Sequence, residues 1–450
     1  PAKMKLVVIR ETSKQFGIVK NLIKRPDIDE LIIATDAGRE GELVARWIIM
    51  KTGFDKPIKR LWISSQTDKS IKDGFNNIKP AKEYDNLYKS AQCRAEADWL
   101  IGLNVTRALT CKHNAQLSAG RVQTPTLAMI VERENEIKRF KPRDYWTIKA
   151  ETAGFSIQWQ DKKTGLTRLF DRQKADDVLS AVKGRSGVVI EVRREAKEEQ
   201  PPLAYDLTEL QRDANRKFSY SAKQTLNIMQ RLYETHKVVT YPRTDSRHIT
   251  EDIVPTLPDR LKSISAGSYA IAAKSLLRNG FKATKRFVDN SKVTDHHAII
   301  PTEQPVTLSE LNREERNIFD LIARRFLAVL SPAFKYEQTT IKVDVNGELF
   351  TAKGRIVKSR GWKGVYEEIT SDMSDYSDAS GSTDMSGYSG ASGELRDQNL
   401  PIVKNGESIK LKSVQLVNGK TKPPARYTEA TLLTAMEHPG KFIEDDELRE

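Results

Sequence analysis

Apolar residues along this chain keep two different periods, and the switches between them outline its organisation. A three-to-four-residue spacing predicts a helix over residues 221–235, where Ala222, Leu226, Met229 and Leu232-Tyr233 share a face. Ser221 is placed to cap it, with Gln224 three residues on in the capping-box position. Asp206, with Glu209 at the third helical position, opens another helix through Leu207, Leu210, Ala214 and Phe218. Residues 87–110 and 127–137 also read as helices, the first with Ala91, Ala95, Trp99 and Leu103 near one face. Alternating patterns predict strands at 146–148, 155–159 and 188–192, then again at 337–345 and 349–357. Two apolar runs near the start, 6–9 and 31–34, read as buried strands. A β-branched run, Val238-Val239-Thr240, ends at Tyr241-Pro242, since a proline cannot continue a ladder.

At 450 residues the chain is long enough for two to four domains of mixed α/β and α+β type. No run approaches the roughly 18 apolar residues of a membrane span. Cys93 and Cys111 lie in no CxxC pattern, which argues against a disulfide framework or a zinc ribbon and fits a reducing cytoplasm. Residues 371–399 carry six acids and one arginine, so the formal charge of +13 rises to about +18 on the remainder. Such charge favours polyanions through counterion release. Residues 371–393, rich in Ser, Gly and Asp, are expected to be disordered.

Four stretches carry candidate chemistry. After the 31–34 strand comes Thr35-Asp36-Ala37-Gly38-Arg39-Glu40-Gly41-Glu42, then a helical run. Strand, acidic loop and helix form the layout of a metal site at the carboxyl end of a strand, and Asp36 and Glu40 can converge on Mg²⁺. Solvated acids at a helix start are the plainer alternative. Ser118-Ala119-Gly120-Arg121-Val122-Gln123 combines small residues that let a phosphate approach with side chains that bond phosphate and base edges; a polar helix cap would look the same. Tyr241-Pro242-Arg243-Thr244-Asp245-Ser246-Arg247 places a phenol beside two guanidiniums that would stabilise its anion and grip a phosphate; an ordinary turn with an Arg–Asp pair is the alternative. Finally, Thr294-Asp295-His296-His297-Ala298 holds adjacent histidines that point in different directions, without HExxH or CxxC, which speaks against zinc. A structural histidine or a phosphate-orienting one remains.

Together these stretches resemble the motifs of type IA DNA topoisomerases, in family order and over nearly the whole chain. Tyr-Pro-Arg-Thr-Asp-Ser is similar to the active-site motif in its topoisomerase III form. The resemblance implies that Tyr241 is the nucleophile, that Arg243 supports it and that His296 lies near it. Asp36 and Glu40 become Mg²⁺ ligands, with Glu42 a weaker candidate. Gly38 stands where the related Toprim motif, Asp-x-Asp-x-Glu-Gly-Glu, carries its second Asp. Ser118, Arg121 and Gln123, with Arg94 and Asp98, are expected to contact single-stranded DNA.

The implied fold is a torus: a truncated Toprim domain (1–65), a helical base with the single-strand groove (66–144), a strand-rich arch (145–205 and 336–425), a helical lid bearing Tyr241 (206–335) and a return to the base (426–450). Neither an Ala-Glu-Lys-Pro-like motif before Leu6 nor a Gly-x-Gly-Thr-x-Ala-Thr-Arg segment before Glu450 is found. The chain is therefore expected to be part of a longer enzyme, able to bind DNA but poor at cleaving it. The implied activity is ATP-independent breakage and rejoining of single-stranded DNA, consistent with the lack of a GxxxxGK[ST] loop. The expected setting is a monomer in the bacterial cytoplasm, associated with the nucleoid and acting with a helicase. A Toprim nuclease or primase, or a non-catalytic single-strand clamp, are the competing readings.

Overall fold

The computed structural model describes residues 4–64, 67–293, 295–367 and 398–442. These fall into two compact units, one made of residues 1–132, 202–330 and 427–450, the other of 133–201 and 331–426.

The second unit is built on a seven-stranded sheet in the order Ser413–Lys420, Asp144–Glu151, Ser156–Trp159, Glu348–Ser359, Phe334–Val345, Ser186–Glu199, Ser408–Lys410. Every neighbouring pair is antiparallel. Alternation drives this, because side chains two apart reach the same face. Ile341, Val343 and Val345 are fully buried, as are Phe350 on the neighbouring strand and Ile148 and Ile157 further across. Helix Arg172–Val182 packs Val182 into the same cluster, and Asp171 caps it by accepting from the amide of Gln173 at 2.9 Å. Strands Phe334–Val345 and Glu348–Ser359 turn at Asn346-Gly347, both at positive φ (52° and 86°), where the mirror-image turn matches strand twist.

The first unit contains a small sheet in which Leu31–Ile33 runs parallel to Ile58–Arg60, and Lys79–Pro80 pairs antiparallel with the latter. Helix Arg39–Thr52 makes the crossover and packs Ala45 and Ile49 against Ile33. Gly53, at φ 72°, ends it in the left-handed conformation that glycine accepts without strain. The remainder is helical. Asp85–His113 is the longest helix, and Arg313–Leu330 is buried along most of its length. Leu207–Phe218 and Ala222–Glu234 pack against it. Asp206 and Ser221 cap those two helices, accepting from Glu209 N at 2.6 Å and Gln224 N at 3.1 Å. The reciprocal half of the Ser221 box is absent, because the Gln224 amide bonds Glu314 instead. Helix Glu429–Glu437 returns to Leu207–Phe218, with Arg212 paired to Glu437 and Ala430 N bonded to Asn215 at 3.1 Å.

Two strand expectations are corrected. Residues 6–9 form no strand; Val7 and Ile9 are 80% and 60% exposed. The run does not pair with Leu31–Ile33, which remains the edge of its sheet among the described residues. Val238–Thr240 is not a regular strand but a local pairing with residues 300–302, through a Val239–Pro301 bridge and bonds from Thr240 N to Ile300 O and from Thr302 N to Val238 O. The expected disorder of 371–393 lies outside the described residues. No described helix is long and apolar enough to cross a membrane.

The sheet core generates a stability test. Phe350→Ala should cost about 3–5 kcal/mol in denaturant unfolding, the range for emptying a packed aromatic site. Val357→Ala, at a half-exposed position of the same strand, should stay within about 0.5 kcal/mol.

Candidate active site

The acidic loop leaves the sheet edge with its backbone turned away from any strand, and a side chain takes over the carbonyls. Arg60, fully buried on the adjacent strand, donates through Nη1 to the carbonyls of Thr35 (2.7 Å), Leu61 (2.9 Å) and Ile33 (3.2 Å), and through Nη2 to Asp36 O (2.6 Å). Its charge is balanced by Glu42, also fully buried, at 3.0 Å from Nε; the contact is ionic rather than a well-aligned hydrogen bond. Glu42 also accepts from Arg46 Nε at 2.8 Å. Glu42, the weaker metal candidate, is thus committed to holding the loop. Gly41 is required here, since a Cβ would stand 2.3 Å from Asp36 O. Asp36 and Glu40 both project outward, their side chains 61% and 73% exposed.

The Tyr241 motif is stitched to the histidine segment by its hydroxyls. Thr240 Oγ1 donates to Ala298 O (3.0 Å) and Thr244 Oγ1 to His296 O (2.9 Å), while Ser246 Oγ donates to Lys292 O (2.8 Å). These bonds set the Tyr241 ring 4.2 Å from the His296 ring, centroid to centroid, with Tyr233 edge-on at 5.4 Å. His296 Nε2 points to Asp36 Oδ1 at 3.7 Å; it is buried and makes no hydrogen bond. Tyr241, His296, Asp36, Thr35, Tyr233 and Arg260 line one cavity of about 360 Å³.

Electrostatics at the phenol run against the expectation of two helpful guanidiniums. Burial and then Asp36 raise the Tyr241 pKa, and Arg243 offsets them only in part. Arg247 is turned away, donating to Ala204 O at 3.1 Å near Asp206. The phenol therefore rests protonated. His297 stands on the wall of the same cavity and is partly exposed; burial of its ring pushes its pKa down to about 4, and Nδ1 lies 2.9 Å from Ala298 O.

One functional candidate escaped the sequence reading. The place a Cβ would take at Gly38 is filled by the carboxylate of Asp295, with Oδ2 only 2.0 Å from it. Burial raises the Asp295 pKa; His296 and Arg39 oppose that, and Asp245 and Asp36 add to it. Its signal was present as an acid directly before His296 together with the missing acid at position 38.

Among the expected DNA-binding residues, Arg121 Nε pairs with Asp98 Oδ1 at 2.6 Å, and Arg94 Nη1 lies 3.8 Å from Glu40. Asp98, Arg121, Gln123, Gly120, Leu127 and Met436 line an open groove of about 820 Å³. Ser118 is exposed beside it. Thr106 shapes the groove wall, its Oγ1 accepting from Ala119 N at 2.9 Å.

As for a metal, no three His, Cys, Asp or Glu side chains among the described residues gather closely enough to hold an ion alone. Mg²⁺, however, takes one or two carboxylates and completes its shell with water and phosphate oxygens. Asp36 fits that demand, with the hollow at Gly38 filled by a second carboxylate, and Glu40 stands on the same loop.

Residues 82–440 match the DNA topoisomerase family, and the chain belongs to it. Within that family it falls in the type IA class, in the topoisomerase III branch. It is 52% identical to DNA topoisomerase 3 of Bacillus licheniformis and of Bacillus subtilis over 447 residues, and 53% identical to that of Bacillus anthracis over 445. Each match covers 99% of this chain and 59% of the relative, so the chain spans less than two thirds of their length. Full-length topoisomerase I from Thermotoga maritima shares the fold, with a TM-score of 0.70 at 24% identity over 96% of this chain and 67% of the other.

Two tests follow from the site's internal forces. Glu42→Ala leaves the Arg60 guanidinium buried without its counter-charge and should destabilise by about 3–5 kcal/mol in denaturant unfolding. His297 binds its proton more weakly folded than unfolded, so its contribution is complete above about pH 6.5 and is lost as pH falls toward 4. Unfolding free energy should drop by about 3 kcal/mol across that window, and His297→Asn should remove this part of the slope.

Proposed function

We propose that the parent protein is a type IA topoisomerase of the topoisomerase III kind, which breaks, passes and rejoins single-stranded DNA without ATP. The observation that carries this reading is the Tyr241 phenol, held between His296 and Tyr233 and facing Asp36 in one cavity. A nuclease or primase built on the acidic loop has no need of that phenol, and neither does a clamp.

In the proposed reaction Tyr241 Oη attacks a backbone phosphorus. The bond to the 3′ oxygen breaks, that oxygen takes up a proton, and a 5′-phosphotyrosyl link forms. Rejoining runs the same exchange backward, so bond energy is conserved and no nucleotide is consumed. The phenol rests neutral, its ionisation opposed first by burial and then by Asp36; compensation of the Asp36 charge and the approach of Arg243 favour proton loss. Bound Mg²⁺ would supply charge compensation for the phosphate and the carboxylate. His296, whose Nε2 is buried and unbonded, is placed to donate to a phosphate oxygen or pass a proton. Arg243, exposed beside the phenol, would stabilise charge developing on the phosphoryl oxygens. The groove lined by Arg121 and Gln123 would hold the second DNA end, with Arg121 exchanging Asp98 for a phosphate. Monomeric action in the bacterial cytoplasm, at the nucleoid and with a helicase, and a preference for unlinking DNA complete the reading.

The test joins residues 1–450 to the flanking segments of the Bacillus subtilis relative and incubates the product with labelled single-stranded DNA and Mg²⁺. Denaturation should trap a protein–DNA adduct that Tyr241→Phe abolishes and Arg243→Ala reduces by about 10²-fold. Cleavage that persists unchanged in Tyr241→Phe, with no adduct, would replace this reading with a nuclease.

A further inference from the structure

We propose that Asp295 supplies the second carboxylate of the metal-binding pair, from the histidine segment rather than from the acidic loop, so that the cation lies between Asp36 and Asp295. This deepens the reading above and rests on it. The geometry is steric before it is electrostatic. An ideal Cβ at residue 38 would lie 2.0 Å from Asp295 Oδ2, 2.4 Å from its Cγ and 2.5 Å from Oδ1. The whole carboxylate occupies the space a side chain at position 38 would fill, and only glycine admits it. Gly38 sits at the N-cap of Arg39–Thr52 in extended backbone (φ −153°, ψ 176°), which any residue adopts, so backbone conformation does not demand glycine. The intruding carboxylate does.

A carboxylate is an expensive group to place there without cause. Asp36 lies on the same loop and Asp245 nearby, both of like charge, while Arg39 and His296 are the opposing groups. Two hard oxygen donors from different segments, beside a buried His296 Nε2 that makes no hydrogen bond, form a setting that a cation with its water shell completes. The pair comes from stretches far apart in sequence, which meet where the Asp295 carboxylate fills the hollow at Gly38 and His296 Nε2 comes within 3.7 Å of Asp36 Oδ1. Cation affinity then depends on the histidine segment being docked against the acidic loop. Movement of one away from the other would release a ligand.

Moving the carboxylate tests this without DNA or catalysis. Mn²⁺ binding to the 450-residue chain is followed by electron paramagnetic resonance, with folding checked by circular dichroism. Asp295→Asn, nearly isosteric, should weaken binding at least tenfold. Gly38→Asp combined with Asp295→Gly restores one carboxylate to the same place and should return affinity to within about threefold of the wild type. Gly38→Asp alone forces two carboxylates into one hollow and should bind no better than Asp295→Asn. Unchanged Mn²⁺ affinity in Asp295→Asn, a double variant no tighter than that single one, or a wild-type chain that takes up no Mn²⁺ at millimolar concentration would each overturn the proposal. Because the readout involves neither Tyr241 nor DNA, loss of the adduct with this Mn²⁺ pattern intact would sink the cleavage reading alone.

Discussion

Arg60 holds the acidic loop in place, and the geometry of the site depends on it. Backbone carbonyls that leave a sheet edge lose their ladder partners, and burying them unpaired is costly. The guanidinium fork has donors enough for four carbonyls at once, with Nε left to face Glu42. A lysine could not span that set. Glu42 in turn ties the loop to the helix that follows, through Arg46. Asp36 and the hollow at Gly38 take their positions from this arrangement. Their approach to His296 and Asp295 depends as well on the histidine segment docking against the loop.

The second constraint is the hydroxyl stitching that brings the Tyr241 motif onto the histidine segment. It uses Thr240, Thr244 and Ser246, small side chains whose oxygens replace the ladder bonds that Pro242 and the irregular backbone cannot make. The phenol that results is protonated, its ionisation opposed by burial and by Asp36. The carboxylate that joins burial in opposing the phenol's ionisation is the one facing His296 Nε2. Charge on Asp36 links the two halves of the site.

Much of this was legible along the chain. The helix caps at Asp206 and Ser221 and the alternating strands of the large sheet follow from local pattern, because caps and periods are short-range properties. The resemblance singled out Tyr241, His296 and Asp36, and the structure brings those three together in one cavity. Other features were not legible. Arg60 lies in an unremarkable Lys-Arg-Leu-Trp run, and nothing local says that its side chain turns inward. The apolar run at 6–9 has a strand's composition but no partner, and a strand without a ladder is not a strand. Arg247 sits as close to Tyr241 in sequence as a helpful cation should, yet its direction is set by Ala204 O and Asp206.

By itself the sequence determined which residues could do chemistry and the periods of the elements that carry them, since residue type, spacing and capping act over a few positions. Family membership was readable for the same reason, as short motifs in a set order. Only the tertiary structure decided which of those groups face one another. It committed Glu42 to Arg60, paired Arg121 with Asp98, turned Arg247 away and brought Asp295 into the place Gly38 leaves open. Charge and burial act through space, and the partners that set them lie tens to hundreds of residues away along the chain.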